Sequence, residues 1–361
     1  MTSLEKRIFG VISSYNSDWS STAADSEKQT SVIVSNRFPK QIKIDGEIWS
    51  ISFTPEFVRS AKAMIPRDDD VFVCTYPKCG TTWTQHICSQ LLFDNYNPGP
   101  GKELTMTSPM IEFSGAKFAD ELPSPRLLKT HFNYKNCPKS SKAKYIYCVR
   151  NPKDCLVSYY FHNKNMKLYE WADGEFDVFF DFFMKGQVSL EDYFEHMKSW
   201  LPHVNDPNVL LLKYEDMLED LETAVKKIGN FLGGRAAEIA NDPESLRKIG
   251  NFLGGRAAEI ANDPESLRKV VSESKIDAMK ENQTRWFPDH QMREHTFIRK
   301  GVKRDWKNYF SREQSDVMDI RFKTMFKDTI VLHWWKQEMM WDDFPKENFP
   351  EVDSTSTEPN K

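Results

Sequence analysis

Val71-Phe-Val-Cys-Thr-Tyr-Pro-Lys-Cys-Gly-Thr-Thr-Trp83 passes from a short apolar run through a Pro/Gly turn into a helical pattern. Val71 to Thr75 is apolar at successive positions, the pattern of a strand buried on both faces. Pro77 and Gly80 punctuate the turn, and residues 81–92 follow as an amphipathic stretch read as a helix. A strand feeding a helix through a glycine-bearing loop gathers backbone N–H groups and the positive end of the helix dipole around one point, which is an anion site. Gly80 lets the backbone approach an anion, Thr81 and Thr82 add hydroxyl donors, and Lys78 adds a cation. Nucleoside-triphosphate loops of the form G-x-x-x-x-G-K-[ST] use the same logic. Here one glycine follows the lysine, so the loop is phosphate-binding in kind without being that motif.

Working outward, Arg126 to Thr130, Lys144 to Val149 and Val209 to Lys213 are three more short apolar runs separated by helical patterns. Two-sided strands alternating with helices predict an α/β fold, a central parallel sheet flanked by helices on both faces. The length of 361 residues allows two domains, yet the segments divide more simply. Residues 1–38 are Ser/Thr-rich and read as a flexible extension, 39–345 as one domain, and 346–361 as a polar tail. Residues 228–248 recur unchanged as 249–269. Two copies are too few for a solenoid core, so the surplus 21 residues are expected as an extra lobe on a connection between helices. A helix closed by Gly233-Gly234 is expected before it, and a new helix start at Asp263-Pro264-Glu265 after it.

The 49 Lys+Arg nearly balance 53 Asp+Glu, which gives no reason to expect a nucleic-acid or acidic-lipid partner. No stretch approaches the ~18 apolar residues of a membrane span, and no secretory-type apolar segment is evident. The six cysteines have no C-x-x-C spacing and are expected as reduced thiols of a cytoplasmic protein.

Local chemistry is more pointed. Val149-Arg-Asn-Pro-Lys-Asp154 runs from a strand into a helix, with Arg150 at the strand's carboxyl end where open α/β sheets bind ligands; its guanidinium fork suits a phosphate. Ser158 follows one helical turn beyond Asp154. Arg299, Lys300, Lys303, Arg304 and Lys307 surround a single Asp305, and Gly301 favours an anion-wrapping loop anchored by Trp306. Lys129 and His131 share strand parity, and a neutral imidazole there can accept a proton near neutral pH. Phe132, Tyr134 and the run Phe176 to Phe183 are candidate acceptor-pocket aromatics, with Phe179, Phe182 and Phe183 favoured as core.

Together these segments resemble the cytosolic sulfotransferase family, as an invertebrate-like member carrying the duplication. The resemblance covers about residues 39–345 and rests on Tyr76-Pro-Lys-Cys-Gly-Thr-Thr-Trp83, Lys129-Thr-His131, Arg150-Asn-Pro-Lys-Asp154 with Ser158, Tyr214-Glu-Asp-Met217, and Arg299-Lys-Gly301 with Asp305-Trp-Lys307, in the family's order. It implies transfer of a sulfuryl group from 3′-phosphoadenosine 5′-phosphosulfate (PAPS) to a hydroxyl or amine, without a metal. It implies a 5′-phosphosulfate cradle at Lys78, Cys79, Gly80, Thr81 and Thr82, with Trp83 near adenine and Tyr214 at its edge. Arg150, Ser158, Arg299, Lys300 and Gly301 would bind the 3′-phosphate. Ser274 stands where the family usually has Thr, and Ile276 where an aromatic is common. His131 would be the general base, Lys78 would stabilise the departing phosphate oxygen, and Lys129 would add positive potential.

Three positions depart from the family pattern. Cys79 replaces a common Ser, and beside Lys78 at a helix N-terminus it is expected to favour thiolate and be oxidation-sensitive. Arg304 replaces a usual Gly. Arg312 replaces an apolar Val in a partly matched dimer segment, Lys307…Ser311-Arg312…Asp316, which leaves a homodimer open. The expected partner is a small phenol, sterol, amine or alcohol. The alternatives are a PAP/PAPS-binding relative impaired by the duplicated lobe, and a kinase-type phosphoryl transferase.

Overall fold

The computed structural model describes residues 30–33, 37–93, 96–97, 102–233, 260–281, 283–286 and 292–342. In chain order these form β1 (Thr30–Ile33), β2 (Gln41–Ile44), β3 (Glu47–Ser50), α1 (Pro55–Lys62), β4 (Val71–Thr75), α2 (Thr81–Leu92), α3 (Ile111–Asp120), β5 (Leu127–Thr130), β6 (Lys144–Val149), α4 (Pro152–Asn165), α5 (Phe176–Met184), α6 (Tyr193–Trp200), β7 (Val209–Lys213), α7 (Tyr214–Glu219), α8 (Leu221–Gly233), α9 (Pro264–Glu273), α10 (Ile276–Glu281) and α11 (Arg312–Met325).

All four apolar runs are strands, and they assemble as one parallel sheet in the order β5-β4-β6-β7. Successive residues feed opposite cores, as period-2 strands require. Val71, Val73, Leu127, Ile146 and Cys148 face the side covered by Trp83, Ile87 and Leu91 of α2, with Ile228 and Leu232 of α8 and Leu267 of α9. Phe72, Cys74, Leu128, Tyr145 and Tyr147 face the side covered by Leu156 and Tyr159 of α4 and by Met197 and Trp200 of α6. Connections leave β4 toward β5 on one side and return to β6 on the other. This reversal opens a crevice at the carboxyl ends of the strands.

Three expectations change. Helix α2 occupies the expected residues but is not amphipathic: apart from Thr82 its side chains are buried all round. Two of its polar residues find distant partners, Gln85 donating to the Ser108 carbonyl at 2.7 Å and Gln90 to the Ser274 hydroxyl at 2.9 Å. Second, Thr30–Ile33 lies in the segment read as an extension, yet it pairs antiparallel with β2, which pairs with β3. That sheet was not anticipated. Third, the duplicated segment contributes to the core from both copies, through Ile228 and Leu232 of the first and Ala261 and Leu267 of the second. The expected start of α9 holds, with Asp263 accepting from the Ser266 N–H at 2.7 Å; the lobe between, residues 234–259, lies outside the described residues, as does the 346–361 tail.

At the opposite end of the sheet, Arg126 and Asp70 form a fully buried two-pronged pair, Nη2 to Oδ2 at 2.6 Å and Nε to Oδ1 at 2.7 Å. Arg126 also reaches Asp120 at 2.7 Å. Removing one partner strands a buried charge, so Arg126→Ala is expected to cost about 3–5 kcal/mol in urea unfolding. A loss under about 1 kcal/mol, the range of an exposed pair, would contradict this.

Candidate functional site

Four strands end at one chamber, and the residue or loop just past each end enters it. The loop of residues 76–80 leaves β4, His131 leaves β5, Arg150 leaves β6 and Tyr214 leaves β7. The chamber has a volume of about 1230 Å³, and Lys78, Gly80, Thr81, Thr82, Trp83, Lys129, His131, Arg150, Ser158, Tyr214, Arg299, Lys300 and Gly301 all line it. Thirteen dispersed sequence positions thus converge on one site.

Gly80 caps α2 with φ 92°, a left-handed conformation that glycine adopts without strain. A Cβ there would stand 2.9 Å from the Tyr214 ring. The glycine therefore permits both the turn and the close approach of Tyr214. Lys78 also sits at positive φ, 70°, which turns the backbone so that its carbonyl accepts from Arg150 Nη1 at 3.2 Å. Loop and β6 terminus are thereby joined.

His131 is fixed from both sides. Its backbone N–H donates to Glu112 Oε1 at 2.5 Å, and its Nδ1 lies 2.8 Å from the Thr75 carbonyl oxygen. A carbonyl only accepts, so Nδ1 carries the proton and Nε2 is the basic atom. Thr75 Oγ1 lies 3.2 Å from the same Nδ1 and 2.7 Å from Thr81 Oγ1, linking the base to the anion loop. Burial, reinforced by the Lys129 charge, pushes His131 well below its usual 6.5. Burial lowers Lys78 to about 8, aided by Lys129 and Arg150, and lowers Lys129 to about 8 against the pull of Glu112. Glu112, wholly buried, is raised to about 7 by desolvation. Near pH 7 the chamber thus holds a neutral imidazole beside two ammonium groups.

The guanidinium of Arg150 lies 4.3 Å from the Tyr214 ring centre, and its Nε is buried with no hydrogen-bond partner. A buried orphan donor in a cationic pocket fits an anion. Asp154 holds the opposite wall, accepting from the backbone N–H of Arg304 at 2.7 Å and of Trp306 at 3.0 Å. Arg304 takes φ 61°, the conformation a glycine would supply, so the substitution retains the turn. Gly301 is also left-handed, and a Cβ there would stand 2.5 Å from Ile276 Cγ2, so the glycine permits the close packing of Ile276. The cationic run is less exposed as charge than its composition implies. Asp305 pairs with Arg299 at 2.6 Å and with Lys300 at 2.7 Å.

Two named site residues turn elsewhere. The buried Cys79 directs its sulfur at Cys155 Sγ, 3.7 Å away, and not into the chamber. Desolvation holds its thiol well above the ordinary value, so the expected thiolate is overturned. Cys79→Ser is therefore expected to leave nucleotide affinity within about twofold by calorimetry, since ordinary substitutions off a binding surface cost under ~0.5 kcal/mol. Ser274 is also wholly buried. Its hydroxyl accepts from Gln90 and its carbonyl from Trp83 Nε1 at 2.7 Å, so it orients Trp83 without facing the chamber.

Phe179 and Phe183 are core, as favoured, and Phe182 packs against the same core and on Phe38 at 5.0 Å. Two other acceptor-side candidates differ from expectation: Phe132 is also core, and Tyr134 stacks on His203 at 3.5 Å. Instead Phe53, Phe57, Phe113, Phe118 and Tyr169 line the chamber. Glu112 was also missed, because a lone Glu in a helix carries no local signal of its partner.

The family model described as "Sulfotransferase domain" matches residues 68–330, a span that includes every strand-end residue above. The chain belongs to the sulfotransferase family. This sulfotransferase is 34% identical over 281 residues to an amine sulfotransferase of Oryctolagus cuniculus, covering 74% of this chain and 84% of the relative. It is 31% identical to sulfotransferase 2A1 of Homo sapiens, covering 77% and 92%. Among solved structures it is similar to mouse sulfotransferase SULT7A1 complexed with PAP, at TM-score 0.58 and 27% identity over 80% of this chain and 94% of that one. Retinol dehydratase in complex with androsterone and PAP shares the fold, at TM-score 0.59 and 23% identity, covering 81% and 91%.

Proposed function

We propose that this sulfotransferase transfers the sulfuryl group of PAPS to a hydroxyl or amine of a small, largely apolar acceptor. The observation that carries this reading is the Nδ1 contact of His131 with the Thr75 carbonyl, which makes Nε2 the base in a chamber shared with Lys78 and Lys129. The residues present fit the nucleotide: Arg150 has an orphan buried donor, in a chamber also lined by Lys78, Lys129 and Arg299. Lys78 and the backbone from Gly80 to Thr82 hold the 5′-phosphosulfate. Arg150, Ser158 and the Arg299-Lys300-Gly301 loop hold the 3′-phosphate, with Trp83 and Tyr214 at the base.

When bound, PAPS supplies an activated sulfuryl group on a phosphate leaving oxygen. His131 Nε2 takes the acceptor's proton as the bond to sulfur forms. Lys78 neutralises charge accumulating on the leaving oxygen, and Lys129 adds positive potential around both. Catalysis of this kind is positioning and charge neutralisation. Trp83 donates to the Ser274 carbonyl alongside the duplicated segment, which supports an intact proposed adenine wall.

The lysines set a pH dependence with a definite sign. Both bind anions only when protonated, and both lie at about 8 in the free protein. PAP affinity is therefore expected to fall as pH rises through 8, each unit beyond weakening a proton-requiring contact by up to about tenfold. His131 stays neutral below 6.5, so kcat/KM keeps its plateau on the acid side. Calorimetry across pH 6 to 9 checks the first statement. Affinity that rises above pH 8 would contradict it.

A further inference from the structure

Helix α4 presents one face to the chamber, and that face holds a second imidazole. Ser158, Phe161, His162, Asn165 and Met166 all line the chamber, at the three- and four-residue spacing of one helical side. His162 lies one turn beyond Ser158, away from the helix start that carries the 3′-phosphate residues. Its ring is flanked by Tyr169, Tyr159 and Phe297, with centroids 6.1, 6.2 and 6.5 Å away. Phe297 also lies 5.1 Å from Lys78 Nζ, so His162 stands close to the reacting end.

What distinguishes this histidine is its lack of a partner. Three buried imidazoles each reach a backbone carbonyl: His86 contacts that of Glu273 at 3.1 Å, His131 that of Thr75 at 2.8 Å, and His196 that of Phe132 at 3.1 Å. Among the described residues only ring contacts and a backbone hydrogen bond involve His162. Burial and the charges of Lys78, Lys129 and His131 hold it well below 6.5, so the ring is neutral, with one nitrogen to donate and one to accept. His162 is half-buried and lines the chamber. A ligand there can take up the hydrogen-bonding capacity that its ring leaves unused.

We propose that His162 is a specificity-determining residue of the acceptor site, hydrogen-bonding a second polar substituent of the acceptor, distinct from the hydroxyl or amine that His131 deprotonates. The favoured acceptors are then bifunctional: a ring alcohol or phenol carrying a further hydroxyl or carbonyl. A site that hydrogen-bonds one substituent discriminates against the analogue lacking it, because its own polar group is left unpaired. This inference rests on the sulfotransferase reading above.

The test uses the full chain with a naphthol and a naphthalenediol bearing its second hydroxyl on the opposite ring. Turnover with PAPS is measured, as is acceptor binding to the PAP complex by thermal shift. Wild-type protein is expected to prefer the diol. His162→Phe should cut kcat/KM for the diol by about ten- to a hundredfold while leaving the naphthol and the KM for PAPS nearly unchanged. His162→Gln, which keeps a donor and an acceptor, should recover part of the preference. Equal losses for both acceptors, no loss for either, or an altered KM for PAPS would overturn the assignment. Wild-type protein that binds PAP and both acceptors but transfers to neither would instead sink the transferase reading.

Discussion

Replacing His131 with alanine is expected to lower kcat by about 10²–10⁴-fold, the usual contribution of a positioned base. PAP affinity should stay close to that of the wild type. The separation follows from geometry. The imidazole is held by the Thr75 carbonyl and by the Thr75 hydroxyl that also meets Thr81, whereas the anion contacts are proposed for the loop backbone, Lys78 and Arg150. Alanine removes the basic nitrogen, and the backbone N–H bond to Glu112 remains. Stopped turnover with intact PAP binding is the signature of a missing base. Near-normal kcat, or a parallel loss of PAP affinity, would contradict the assignment.

Lys78→Ala is expected to lower kcat by about 10²–10³-fold, the scale of losing one group aimed at developing charge. PAP affinity should fall by less. Burial, reinforced by the charges of Lys129 and Arg150, depresses Lys78 to about 8, and a bound polyanion relieves the crowding of charge. The ground-state contact is shared among several cations, so one loss is partly covered. Charge appearing on the leaving oxygen has fewer substitutes. Single-turnover kinetics at saturating PAPS separates the two effects. A change confined to KM would show that Lys78 only binds.

The sheet was legible because its signals are local: a run such as Val71 to Thr75 bounded by Pro77 and Gly80 reads as a two-sided strand wherever it lies. The convergence of Lys78, His131, Arg150 and Tyr214 followed from strand-end positions. What could not be read was orientation. Cys79 and Ser274 stand at positions a motif assigns to the ligand, yet tertiary packing turns one sulfur to Cys155 and spends the other hydroxyl on Gln90. The buried polar face of α2 was misread for the same reason, since Gln85 and Gln90 find partners far along the chain. β1, β2 and β3, of four residues each, are too short for alternation to register. Glu112 and His162 take their meaning from contacts that no neighbouring residue announces.

The most direct test of the account is to incubate the purified chain with PAPS and a panel of phenols, sterols, monoamines and alcohols. Sulfated product and PAP are then quantified by mass spectrometry. At least one sulfated acceptor is expected with an equal amount of PAP, formed by the wild type and lost in His131→Ala. PAP binding without product across the panel would contradict it, as would magnesium-dependent turnover of ATP in place of PAPS.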